Sequence, residues 1–190
     1  DSFNDVTTLA HELGHAIHGY LSQGQVASCF SSPLSLAETA SIFNETLVFD
    51  KMMQESDFTE DEEIHYRFEQ LSDIFSTTFR QIQYVIFEKR IHESFDNGIE
   101  LSHEDFSLIW RETQKEMMGD GFEFTIPAEE EFAWSSIPHI FYTPFYCYAY
   151  SFGNLLSLSL YKMYKDQGQP FVEQYKNILR SGGSKRPEDL

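Results

Sequence analysis

Val6-Thr7-Thr8-Leu9-Ala10-His11-Glu12-Leu13-Gly14-His15-Ala16-Ile17-His18-Gly19-Tyr20 is the stretch on which the fold and the chemistry turn. Its apolar residues recur at helical spacing, so it reads as an amphipathic helix, placed at about 5–22 and ended by Gln23-Gly24. On such a helix His11 and His15 share one face, about 6 Å apart. Two imidazoles so placed reach one Zn²⁺ at about 2.0–2.1 Å. Glu12 projects beside them and can take a proton from a water that the metal polarises.

A catalytic zinc needs a third protein ligand. The extended motif that supplies one from the same helix requires a glycine at position 18 and a histidine at 21; the chain has His18 and Leu21. A glutamate from the next helix is the alternative. Glu38 and Glu45 lie seven residues apart on one helical face and compete for the role. Glu38 also fits a capping box with Ser35, a purely structural use. His18 lies two turns beyond His11, roughly 10 Å along the helix, too far for the same metal; it reads as a group behind the ligands or beside the substrate.

Outward from this helix the pattern stays mainly α. A loop follows, in which Val26 to Phe30 reads as a short edge strand and yields one β pair near 25–34. Ser35 opens a helix to about Glu55. Thr59-Glu60-Asp61-Glu62 is a capping-box pattern, and apolar spacing runs from there to Phe95, an expected helix of about 35 residues stopped by Asn97-Gly98. Ser102-His103-Glu104-Asp105 starts another, to about Met118, closed by Gly119-Asp120-Gly121. Residues 122–143 read as irregular, and 145–167 and 170–180 as helices, the last ended by Gly182-Gly183. Ser184 to Leu190 reads as a cap and a first helical turn. With no linker or repeat, the expectation is one unit over 1–190, a piece of a longer chain.

Composition limits the partners. The formal charge is −18 over 190 residues, which repels the phosphates of nucleic acid. No apolar run approaches the 18 or more residues of a membrane helix. Cys29 and Cys147 are the two cysteines, too few and too separated for a disulfide framework, which points to the cytoplasm. Aromatics reach 16%, with 18 Phe and 10 Tyr, more than one motif absorbs. Glu12-x-x-His15 and Glu62-x-x-His65 each fit half of a carboxylate-bridged di-iron bundle, a rival that leaves His11 idle. A zinc-holding scaffold without turnover is a further alternative. His65, His92 and His103 sit in charged stretches and read as solvated, as do the acidic patches 55–63 and 129–131.

Three blocks together resemble the oligoendopeptidase F branch of the thimet oligopeptidase family of zinc metallopeptidases. They are His11 to His18 with Ala37-Glu38-Thr39-Ala40-Ser41-Ile42-Phe43-Asn44-Glu45, then Ile137 to Tyr150, then Leu179-Arg180-Ser181-Gly182-Gly183-Ser184. The resemblance implies a zincin-like helical catalytic core binding one zinc per chain through His11, His15 and Glu38. It implies Glu12 as general base, and His139, Tyr142 and Tyr148 as groups around the scissile carbonyl. It further implies cytoplasmic cleavage of internal bonds in short peptides. Family members are several-fold longer, and their N-terminal region forms the other wall of a substrate channel. Residue by residue, phenol and imidazole donors suit an oxyanion, but the same aromatics over 142–150 also suit a packed core.

Overall fold

The structure, a computed structural model, describes residues 3–119 and 131–190. Its elements are α1 (Phe3–Leu21), α2 (Leu34–Ala37), α3 (Thr39–Glu55), α4 (Glu60–Phe75), α5 (Gln81–Asp96), α6 (His103–Met118), α7 (Pro138–Tyr142), α8 (Tyr148–Gln167) and α9 (Gln169–Arg180). The chain divides into two compact units, Asp1–Ile74 with Phe152–Leu190, and Phe75–Ser151.

In the first unit, α1 packs along α3 and touches α9. Ala10, Gly14 and His18, one turn apart, are the residues that α1 buries. A methyl group on Gly14 would stand 2.5 Å from the Ala40 carbonyl oxygen and from Ser41 Cα. Only glycine permits so close a crossing. Asn44 Nδ2 donates to the Ala10 carbonyl at 2.6 Å and ties the two helices at the same level. Phe43, Leu160 and Phe171 form the core, flanked by Tyr161, Tyr164 and Tyr175. Phe43 stacks on Tyr175 with ring centroids 4.2 Å apart. Core packing therefore uses much of the aromatic content.

In the second unit, α5 packs on α6. Phe87, Ile91, Trp110 and Ile137 are its buried core, with Tyr84, Phe106 and Trp134 against them. Inside it Gln83 Nε2 donates to Thr113 Oγ1 at 2.8 Å, satisfying a buried amide.

Local signals are met where they involve neighbouring residues. The Thr59 backbone N–H and hydroxyl both donate to Glu62 Oε2, at 2.9 and 2.7 Å, and Ser102 and Asp105 form a full capping box. The loop after Asn97 closes with Ile99 N–H on the Ser94 carbonyl at 2.9 Å.

Five expectations require correction. Residues 25–34 form no strand: Ala27–Cys29 is a 3₁₀ turn. Its Cys29 carbonyl is taken at 2.8 Å by Gly183 N–H from the far end of the chain, so the loop is tied to a turn rather than to a strand partner. The helix expected from Ser35 breaks at Glu38, whose φ of −88° and ψ of −2° separate α2 from α3. The N-cap of α2 is Pro33, which leaves Ser35 inside the helix, so Ser35 and Glu38 do not make the capping box. The long helix is interrupted by a π turn over Ser76–Arg80, whose Thr77 and Thr78 carbonyls accept from Ser151 Oγ at 3.2 and 2.8 Å. Pro138–Tyr142, expected as irregular, is one helical turn with proline at its start. The closing Asp120-Gly121 and residues 122–130 of the irregular stretch, acidic residues 129–130 among them, lie outside the described residues.

Among the described residues no helix is long and apolar enough to cross a membrane. Both cysteines are free.

Candidate metal centre

The α1–α3 crossing at Gly14 sets His11 and His15 over the break that carries Glu38. Their Nε2 atoms lie 3.4 and 3.5 Å from one carboxylate oxygen, Glu38 Oε2. Among the described residues, His11, His15 and Glu38 are the group of three whose ligand atoms fall within 4.8 Å of one another. A tetrahedral zinc with ligands at about 2.0–2.1 Å separates them by about 3.4 Å. Both nitrogen–oxygen separations match that value, and the donor types, two imidazoles and a carboxylate, suit such an ion.

The surroundings orient these donors. His11 Nδ1 lies 3.1 Å from Glu45 Oε2. With its proton directed there, Nε2 presents a lone pair to the shared centre, the usual carboxylate–histidine arrangement at metal sites. Glu45 thus faces the opposite edge of the His11 ring from Glu38. Ser41 Oγ donates to Glu38 Oε2 at 3.0 Å. From behind, α8 closes on the same residue: a methyl on Gly153 would sit 2.9 Å from Glu38 Cβ.

Electrostatics follow from this crowding. Hydrogen bonds to Glu38 and then Glu45 raise His11 to about 9 in the metal-free protein, with burial opposing. For Glu38, burial pushes the carboxyl up, but the hydrogen bonds from His11 and Ser41 outweigh it and hold the group below its ordinary value. Two negative groups bracketing one imidazole form a site for positive charge.

The remaining candidates fall as follows. Glu12 follows His11 on α1 and is exposed to solvent. His18 is 8% exposed and is not part of the ligand group. Burial, then the charge of His15, lowers its pKa. It lines a hollow of about 280 Å³ with His15, Ser31 and Ser32. In the other unit, His139, Tyr142 and Tyr148 lie on α7 and at the start of α8. Tyr142 is 85% and Tyr148 43% exposed, so neither is core; Cys147 and Ala149 take the buried positions on either side of Tyr148. His139 stacks on Tyr146 at 5.5 Å, and its Nε2 lies 3.3 Å from the Tyr150 hydroxyl.

The di-iron alternative fails on geometry. Glu62 is spent on the Thr59 cap, and His65, exposed, pairs with Glu69 at 3.5 Å. His103 and His92 are likewise exposed, with one side of the His92 ring resting on Phe145 at 4.9 Å. Sequence reasoning missed the contact of Glu45 with His11 Nδ1 and the close approach of Gly153 to Glu38. Neither carries a local motif.

The family model for Peptidase family M3 matches residues 2–190. The chain belongs to peptidase family M3. Among its M3 relatives, the chain is 34% identical to "Oligoendopeptidase F homolog" of Borreliella burgdorferi, over all of this chain and 32% of that protein. It is 29% identical to "Oligopeptidase PepF" of Bacillus subtilis, over all of this chain and 28% of that protein. A crystal structure described as a peptidase from Chlamydophila abortus superposes with a TM-score of 0.82 at 35% identity, over 98% of this chain and 31% of that one. The chain therefore spans about a third of the length of the M3 relatives that it matches. Its fold is that of the M3 peptidases.

Proposed function

We propose that the chain is the zinc-binding core of an endopeptidase that hydrolyses internal bonds of short peptides, with His11, His15 and Glu38 holding one zinc. The observation that carries this reading is the convergence of three ligand atoms within 4.8 Å, beside a glutamate whose neighbour on α1 is a ligand. Bound there, zinc supplies Lewis acidity to the attacking water and the scissile carbonyl.

The chain's own residues then divide the work. Glu45 fixes the His11 ring, and Ser41 fixes Glu38. Glu12 accepts the proton of the attacking water and passes it to the leaving amine. Tyr148, with His139 and Tyr142, donates hydrogen bonds to the oxygen on which negative charge develops. The exposure of both tyrosines supports that role, because a substrate-binding phenol must be reachable. Sequence outside this chain, which the greater length of its relatives suggests, supplies the other wall of the substrate channel. Two free cysteines and the absence of a membrane-crossing helix among the described residues accord with work in the cytoplasm.

The test uses the whole protein, with metal analysis and a mass-spectrometric digest of mixed peptides. Wild type should hold one zinc and cut internal bonds. Glu12→Gln should keep the zinc and the fold but abolish cleavage, since an amide does not accept the proton. Strong residual cleavage by Glu12→Gln rejects this base. A wild type that binds zinc without cutting any peptide leaves a scaffold, not an enzyme.

A further inference from the structure

The unit 75–151 contains a carboxylate that the chemistry above leaves unused. Glu88 on α5 is 1% exposed, between the core residue Phe87 and the next turn's Ile91. Its Oε1 accepts a hydrogen bond from the backbone N–H of Phe145 at 2.9 Å. A carboxylate so buried is costly, and it persists where a specific partner compensates. Here the partner is an unusual stretch of backbone.

Phe145 has a φ of 58°, the one positive value outside glycine among the described residues. A bulky side chain there is strained, and such strain persists where surrounding groups over-determine the conformation. Glu88 holds Phe145 by its N–H, and His92, one turn further along α5, holds it by its ring. The strain arises because the chain turns sharply between α7 and α8. Thr143 N–H bonds the His139 carbonyl at 2.9 Å and Tyr146 N–H bonds the Thr143 carbonyl at 3.2 Å. This turn separates Tyr142 from Tyr148 and presses Tyr146 onto His139.

We propose that Glu88 is a positioning residue for peptide hydrolysis, its buried carboxylate holding the 143–147 turn in the strained shape that presents Tyr148 and orders His139. This rests on the reading that the turn's side chains bind the scissile carbonyl. Loss of the acceptor leaves the Phe145 N–H unpaired and lets φ relax, which moves Tyr148 without touching it.

The experiment compares Glu88→Met, Glu88→Gln and Tyr148→Phe in the whole protein. Methionine keeps the volume and removes the acceptor, while glutamine keeps an oxygen for the same N–H. Glu88→Met should lower kcat by about 10- to 100-fold, the scale of a 1 Å misplacement. KM and zinc content should stay near wild type, and Glu88→Gln should recover most of the loss. A merely structural role would change the melting temperature and not kcat per zinc-loaded molecule. Wild-type kcat in Glu88→Met, or equal losses in both Glu88 variants, overturns the proposal. A costly Tyr148→Phe beside a silent Glu88→Met rejects the positioning role alone; a silent Tyr148→Phe rejects the reading of the turn itself. Should Glu88→Met not fold, Glu88→Asp, which keeps the charge but draws the acceptor one methylene back from the Phe145 N–H, should lower kcat to a similar degree. Wild-type turnover in that variant overturns the proposal equally.

Discussion

Glu38 and Glu45 both lie beside His11, yet they meet different edges of its ring. Glu38 Oε2 faces Nε2 of both histidines, whereas Glu45 Oε2 faces His11 Nδ1. The two carboxylates therefore should not be equivalent in metal binding. Glu38→Ala should strip the metal at ordinary concentrations, because two imidazoles alone remain. Glu45→Ala should keep most of it, with a loss of about 10- to 100-fold in affinity, typical of an outer partner. Competition titration with a chromophoric chelator measures both; the opposite ranking would transfer the ligand role to Glu45. The i, i+4 pair of histidines was readable at this scale because a helix alone brings them together. Spacing alone left the choice between the glutamates open, since both lie on one face, and it was the family resemblance that named Glu38.

At the scale of elements, the site is built where three helices converge without room to spare. Gly14 admits α3 against α1, and Gly153 admits α8 against Glu38. Gly153→Ala should push a methyl into Glu38 Cβ, and a backbone at that spacing must shift. The expected cost is about 1–3 kcal/mol of stability, as for other overpacked positions, with a fall in metal affinity as Glu38 moves. Chemical denaturation and metal titration of the same variant check the two parts. A variant that keeps wild-type affinity would show that Glu38 tolerates the displacement. Caps at Thr59 and Ser102 were legible because their partners are three residues away. The break at Glu38, the π turn and the missing strand were not. The first lies where α1 and α8 crowd Glu38, the second is met by Ser151, and at the third Gly183 takes the Cys29 carbonyl.

On the scale of the whole molecule, each compact unit holds one cysteine, and the two differ in environment. Cys147 is 1% exposed. Burial, and then the negative charge of Glu88, pushes its thiol up to about 11. Iodoacetamide at pH 8 should therefore modify the native protein at Cys29 and spare Cys147, as peptide mapping would show. The linkage sign follows from the raised value. An unfolded thiol ionises from its ordinary value of 9.0, so the folded state loses ground as pH climbs from there towards 11. Melting temperatures across that range should fall less steeply for Cys147→Ala. Fast alkylation of Cys147 in the native state would contradict the buried environment.

By itself the sequence determined the helical character, the pair of histidines with Glu12 between them, and the capping boxes, because each depends on residues within one or two helical turns. It also determined the family, through three blocks that occur in order along the chain. Tertiary structure alone decided the rest: the single Glu38 oxygen that faces both imidazoles, Glu45 on the far edge of His11, Gly153 behind Glu38, and Glu88 under the Phe145 turn. Each of those contacts joins residues distant along the chain. No periodicity records such a meeting, since it is set by the distance at which packed helices come to rest.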